Sequence, residues 1–467
     1  MKTKSNQSAW KRAALALAAA GCLLLGGCLE QCVVWAPDGA RAAVIIDGGL
    51  RLCGTDGKLT GVLVPDVYRV AWLSDSQQLV LARIHEEKTW TPIARALGTE
   101  RATALVAKGE SIWQKLQTGS TWGQVSPLFE EKEFKLLRVY LRERYGDALR
   151  AKLDAGQWEE CEKQTAEVCD LVMARRDGDK IVPGTQLYEG LGAVKDIRVS
   201  LGDKAVAFTV EMPFEKHDAL QLMVVQANTS TPTLVADRVS VSPDWTPDGR
   251  SLVYVQASGA PVGKDDLLLG VLVRRGVVDD AGKINVDDQS QPLAGTIFDD
   301  ESRVRCLKDG RVLFNAGEIN LPVAAEDWGG KRQQFFAVDP ARQSTLVRLI
   351  PRKHEEDMPG MLNFFEVSPD EKQVLFGAYR GNVCVLTLAT GDVQYIQNGG
   401  KEKEGIQGAP VWRNDGTFTY TRRVGPKDGK KPARAVEVVV RRGEKEQVLS
   451  VSWPDDLVNK LFNDKNN

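Results

Sequence analysis

Three histidines, His85, His217 and His354, are all the imidazole this sequence offers for metal or proton chemistry. Two of them head a His-Glu-Glu triplet, in ARIHEEKTW and PRKHEEDMPG. A transition-metal site needs further ligands at helical or hairpin spacing. No His-Glu-x-x-His helix is present, so both triplets read as solvated charge clusters. Asp38, Asp248, Asp370 and Asp415 recur at one place in a repeated phrase, and paired carboxylates can do acid–base work. Each of these, though, stands in a tight turn where an aspartate caps its own backbone. Asp279, Asp280, Asp287 and Asp288 gather oxygens around Gly282, the ligand type that hard cations take. Their spacing matches no calcium loop, and a flexible acidic loop is the expectation. There is no Gly-x-Ser-x-Gly elbow, Gly-rich phosphate loop or dinucleotide fingerprint. No catalytic residue, metal ligand or cofactor is assigned.

The eight cysteines carry a different signal. The chain opens MKTKSNQSAWKRAALALAAAGCLLLGGCLEQC, with Lys2, Lys4, Lys11 and Arg12 ahead of an apolar run over 13–25. A charged start, a short apolar stretch and small residues before a cleavage point make a secretory signal, over 1–27. The run is short for a membrane-spanning helix. Leu-Gly-Gly-Cys, ending at Cys28, resembles the bacterial lipobox, whose cysteine is acylated and becomes the first residue of the mature chain. That resemblance makes Cys28 the lipid-attachment residue; Cys22 is a weaker candidate, lacking the bulky residue three places back. Two or three acyl chains anchor stably. Leu29, rather than Asp, follows the cysteine and leans towards the outer membrane.

After export, Cys32 and Cys53 flank the first repeat and could pair. Cys161 and Cys169 fall on a predicted helix, about 12 Å apart along its axis, too far to bridge. Cys306 and Cys384 read as small buried apolar residues. No Cys-x-x-Cys is present, and a structural zinc site is not expected.

The elements that hold these residues are repeats. VSPDWTPDGRSLVYVQA (241–257) sets Trp245 before a turn of Pro247, Asp248 and Gly249, and then an alternating run of strand type. VVWAPDGARAAVII (33–46) repeats it with Trp35, Pro37, Asp38 and Gly39. VAWLSDSQQLVLAR (70–83) keeps Trp72 and Asp75, with Ser76 in place of the glycine. FFEVSPDEKQVLFGAY (364–379) keeps Pro369 and Asp370, and APVWRNDGTFTYT (409–421) has Trp412, Asp415 and Gly416. Fainter copies stand at 197–210 and 304–315. Second strands follow most copies, as in GNVCVLTLATGDV and AVEVVVRRGEKE. Seven repeats, each one sheet of about four strands, describe an all-β propeller, with six to eight blades admissible. Trp245 is expected to lie flat over the strand pair that it closes.

The turn phrase with its second strand resembles the WD-like repeat of TolB-type β-propellers, over most of the chain from about residue 32 to 451. The resemblance implies an envelope protein that binds other proteins. A counterpart of that family's separate amino-terminal domain is missing, which argues against a role in the same complex.

One segment interrupts the repeats. From residue 83 to about 183 the two-residue period gives way to helical spacing. An insertion over 92–178, within a propeller over 28–467, is expected to hold three helices. The first carries Leu97, Ala104, Val106, Ile112 and Leu116. The second is capped by Ser126 and Pro127 and striped by Phe134, Leu137, Leu141, Tyr145 and Leu149. The third runs over 158–175. Three amphipathic helices can bury their stripes on one another; a partner or lid role is the other reading.

With 61 basic and 63 acidic side chains in 467 residues, the net charge of −2 does not ask for nucleic acid. Eleven Trp against six Met favour rigid packing over an adaptable groove. The basic stretch RRVGPKDGKKPARA (422–435) lacks the aromatics that stack on bases and reads as a solvated hairpin tip. The expectation is an exported, lipid-anchored propeller in the cell envelope that docks an unknown envelope protein. The alternative is an enzyme or binding protein for a glycan or small molecule in the central funnel. A third reading gives the tail SVSWPDDLVNKLFND (450–464) the job of closing the ring.

Overall fold

The computed structural model describes residues 32–212, 219–262, 267–317, 333–342, 345–350, 364–378, 382–396, 410–424, 434 and 436–462. His217, His354, Cys22, Cys28 and most of the basic stretch lie outside them.

Among the described residues there are seven antiparallel sheets of four strands, each made from one contiguous piece of chain. The first blade is β1 (Val33–Trp35), β2 (Arg41–Ile46), β3 (Gly49–Gly54) and β4 (Val64–Pro65). The second is β5 (Val67–Trp72), β6 (Gln78–Glu87), β7 (Ala166–Asp177) and β8 (Lys180–Gly190). The inner strands of the other five are β9 (Val194–Val199), β13 (Asp244–Trp245), β17 (Val304–Cys306), β21 (Phe365–Val367) and β25 (Val411–Trp412). Blades three, four and five are stitched into one ladder by single pairings, Val239 with Gln256 and Ile297 with Gly317. The fold is a seven-bladed β-propeller.

All seven repeated turns have the same backbone, the two faint copies included. In each, the fourth residue of the turn donates its N–H back to the first: Gly39 to Ala36, Ser76 to Leu73, Asp203 to Ser200, Gly249 to Thr246, Gly310 to Leu307, Glu371 to Ser368 and Gly416 to Arg413. That residue has positive φ every time, from 57° to 89°. Glycine occupies it at no steric cost. The three blades without glycine gain something in exchange. The Ser76 hydroxyl accepts the Asp38 N–H at 2.9 Å, the Asp203 carboxylate accepts the Ser74 N–H at 3.0 Å, and the Glu371 carboxylate accepts the Lys308 N–H at 3.0 Å. Each side chain ties its turn to that of the preceding blade. The aspartates of the phrase cap locally: Asp38, Asp75, Asp248, Asp370 and Asp415 accept N–H groups two residues on.

The tryptophans do more than cover their own strand pair. Trp72 Nε1 donates to the Val34 carbonyl at 3.0 Å, Trp245 to that of Arg198 at 3.0 Å and Trp412 to that of Glu366 at 3.2 Å. In each case the acceptor is on the inner strand of the preceding blade. Trp35 completes the set across the ring closure by donating to Thr419 Oγ1 at 2.7 Å.

Among the described residues, no strand is exchanged between the first and last blades. The tail closes the ring instead, through the helix Asp455–Asn459 and the turns on either side of it. Trp453, Val458 and Leu461 pack in one cluster with Val33, Trp35 and Ile46 of the first blade and Val436 and Val438 of the last. Trp453 Nε1 donates to the Gly57 carbonyl at 2.8 Å, and Arg434 grips the Ser450 and Trp453 carbonyls and Asp455. Cys32 and Cys53 are both buried in this cluster.

The insertion differs from expectation in its divisions. Gly98, at φ 78°, breaks the first helix into Trp90–Leu97 and Thr99–Gln117. Ser126 and Pro127 lie in a 3-10 turn, and the long helix Glu131–Arg150 starts later, after Glu130. The last helix, Ala155–Lys163, ends well before the expected 175. From Ala166 the chain is β7, the third strand of the second blade, paired with β6 and β8. Every residue from Val168 to Ala174 is buried, all but Asp170 being apolar, so the two-residue period vanishes. Cys161 and Cys169 therefore sit on a helix and a strand rather than on one helix. The helices bury their stripes on each other: Phe134, Leu137, Leu141 and Leu149 join Ile93, Leu105, Ile112 and Trp122 in one core.

Candidate functional site

Antiparallel pairing puts the repeated turns at one end of every blade and the β6–β7 connection at the other. The turns of neighbouring blades touch, and Ser242 pairs in parallel with Arg303, so the inner strands share one direction. One face of the ring is therefore the turn face. The other carries the helical insertion, and the strand ends bracketing residues 318–332, 349–364, 397–410 and 424–435 open there too.

The inner strands enclose a cavity of about 310 Å³. Its walls repay reading blade by blade, at the position just before the tryptophan or its equivalent. That position holds Val34, Ala71, Arg198, Asp244, Arg305, Glu366 and Val411 in ring order. Six of the seven line the cavity, along with Arg69 and Asp196. Alternate residues such as Val33, Val70, Ile197, Val304 and Phe365 are buried between blades. One side of the channel is thus aliphatic, from blades seven, one and two. The other alternates positive and negative through blades three to six.

The charged side is a connected network. Arg198 Nε meets Asp196 Oδ2 at 2.8 Å, and Arg198 Nη2 donates to Ser242 Oγ at 2.8 Å. Arg305 Nη1 donates to the same hydroxyl at 3.0 Å, and that hydroxyl donates to Asp196 Oδ2 at 2.6 Å. Asp244 Oδ2 accepts the backbone N–H of Cys306 at 2.8 Å, bridging to a blade whose repeat has Cys306 in the tryptophan's place. Burial alone would raise the Asp196 carboxyl, but Arg198, Arg303, Arg305 and Ser242 together hold it below its ordinary range. Burial raises Asp244 despite the opposing pull of Arg305 and Arg198. Arg305 is pushed down to about 10 by burial and by its neighbour Arg198. Burying charge demands compensation of this kind.

Sequence reasoning missed this ring. The signal was present, since tabulating the residue before each aromatic gives V, A, R, D, R, E, V. It becomes visible only once that position is known to line a channel. The residues that sequence analysis did single out are held apart. The turn aspartates stay at the tips of separate blades. His85 lies on β6 at the root of the insertion, 3.2 Å from Glu87. In the acidic loop, Asp279 accepts the Lys283 N–H and Asp280 pairs with Arg250. No group of three or more metal-ligating side chains converges among the described residues.

These sheets and this channel define the class: a seven-bladed β-propeller with a charged central passage. Solved structures similar to it include TolB from Acinetobacter baumannii, at 14% identity and a TM-score of 0.37, over 58% of this chain and 56% of that one. The β-propeller domain of the Trilobed protease from Pyrococcus furiosus, described as having an open velcro topology, is 11% identical over 60% and 74% of the two chains, with a TM-score of 0.36. An oligogalacturonate lyase in complex with manganese is 15% identical over 74% and 73%, with a TM-score of 0.39. The chain thus spans little more than half of the Acinetobacter TolB. Likenesses this distant carry nothing about activity, and the blade assignment rests on strand pairing. No protein-family model matches the sequence, and no curated protein matches it.

Proposed function

We propose that this chain is an exported, lipid-anchored propeller that docks another envelope protein at the membrane surface, rather than transforming a substrate. The observation that carries the reading is the asymmetry of the ring. One face is built of short interlocked turns, and the other bears a helical module with a core of its own. The channel carboxylates favour binding over catalysis, because Asp196 is tied to Arg198 and Asp244 to a backbone N–H. A general base has to be free to take a proton.

The anchor adds a geometric constraint. Cys28 precedes Cys32 by four residues, a reach of at most about 14 Å. β1 starts at the insertion-bearing end of the ring, so acylation at Cys28 holds that face close to the bilayer. A partner there is itself membrane-associated. A photo-crosslinking residue placed at Leu128, exposed on the insertion, should capture the partner, whereas one at Leu201, exposed on the turn face, should not. Capture from Leu201 alone would refute the assigned face. Cys28→Ala should release the protein from membranes, and a variant that still fractionates with them removes the anchor.

A further inference from the structure

The tryptophan of the repeat fills the seam between its own blade and the one before it. Trp412 shows how: it packs with Leu375, Val385 and Ile396 of blade six and meets Phe418 of its own blade edge to face at 5.4 Å. Trp72 and Trp245 sit in the same way against blades one and three. Blades three and six have Val199 and Val367 in the tryptophan's place. There, rings from both blades meet across the seam instead. Tyr188 stands 5.1 Å from Phe208, and Phe335 stands 5.0 Å from Phe365 and 5.1 Å from Phe376.

Between blades four and five the space is left open. Cys306 stands in the tryptophan's place and Val312 in that of Phe418. A cavity of about 250 Å³ lies there, walled by Val253 and Leu293 of blade four and by Cys306 and Val312 of blade five. No aromatic ring is among its lining residues, and the exposed Asp248 and Gly310 stand at its mouth on the turn face. The match with the filled seam runs strand by strand, since Val253 pairs with Arg274 as Leu375 pairs with Val385. Arg274 thus brings a guanidinium to the wall, 4.0 Å from Asp248 Oδ2. Such a group rests favourably on an aromatic face, as that of Arg413 does 4.6 Å from the ring centre of Trp35. Burial, ahead of Asp244, pushes the Cys306 thiol up, so it stays uncharged and belongs to the apolar wall. An apolar cavity of about 150 Å³ is enough to take up benzene; this one is larger and admits a bicyclic ring.

From this cavity at the seam whose ring is replaced by a thiol, we infer that the cleft between blades four and five binds a small neutral aromatic of indole size. Its ring lies between Leu293 and Cys306, in the space that Trp412 and Phe418 fill two seams further on, with Arg274 against its face. The site opens on the turn face, away from the helical insertion, so it is independent of the docking reading and survives its failure.

The test uses the full-length protein in detergent, titrated with indole and followed by thermal unfolding. A ligand of the folded state raises the unfolding temperature with concentration. Indole should do so saturably in the wild-type protein. Cys306→Trp supplies the missing ring from within, so it should raise the unfolding temperature without ligand and lose the response to indole. Leu293→Phe narrows the cavity from the opposite blade and should lose the response too, which keeps the test open if the tryptophan variant fails to fold. Folding of each variant is checked by circular dichroism. No effect of indole on the wild-type protein would overturn the inference, as would an undiminished response in the folded variants. Cyclohexanol raising the unfolding temperature as far as indole at equal concentration would overturn the aromatic assignment.

Discussion

The indole nitrogen of Trp245 donates to the main-chain carbonyl of Arg198 at 3.0 Å, joining the inner strand of one blade to that of the blade before it. Trp72 and Trp412 repeat the bond at their own positions. The tryptophan of the repeat is therefore an inter-blade tie, and this explains why it stands directly ahead of the turn.

Trp245→Phe keeps most of the apolar contact and removes the donor. The Arg198 carbonyl then loses a partner, at a cost of about 1–3 kcal/mol. Urea denaturation should show this loss with an unchanged m-value. Trp412→Phe should behave alike, and a neutral outcome at both sites would discount the tie.

Asp203→Gly tests the turns in the opposite sense. The substitution relieves a positive φ of 60° but deletes the acceptor for the Ser74 N–H. An aspartate tolerates left-handed backbone well, so the lost tie should dominate, with destabilisation of about 1 kcal/mol. A more stable protein on thermal or chemical unfolding would show that strain relief wins.

Trp453→Ala should open the ring. The side chain is 2% exposed between the first and last blades, and truncating a buried aromatic of this size costs about 3–5 kcal/mol. Because neither terminal blade borrows a strand from the other among the described residues, the loss should appear first as faster amide exchange in β1 to β4. Uniform exchange across all blades would argue against a local clasp.

Glu301, in the connection before β17, has its carboxyl raised to about 7, chiefly by burial and then by Asp299 and Asp300, against Arg303. A carboxyl raised on folding contributes stability that is present below its unfolded pKa, near 4.5, and is lost as pH rises through the folded value. Glu301→Gln should therefore raise the unfolding temperature at pH 8 relative to the wild-type protein and leave it little changed near pH 4. An equal shift at both pH values would remove Glu301 from the pH dependence.

The architecture was legible in the amino-acid order because a blade cannot bury its apolar faces alone, so every repeat carries the same turn and strand periods. Copies as faint as IRVSLGDKAVAFTV still fold into the shared turn. There the glycine gave way to Asp203, whose carboxylate does a job that a sequence motif does not display. Helical periodicity located the insertion but overran its end, since β7 is buried on both faces and looks the same as an apolar helix.

Local order along the chain determined the turns and the strands, both of which depend on neighbours a few residues away. Only the tertiary structure decided the channel. Arg198, Asp244, Arg305 and Glu366 lie some forty to sixty positions apart and are unremarkable singly. Closure of the ring brings them side by side, where burial forces each charge to be answered by the next.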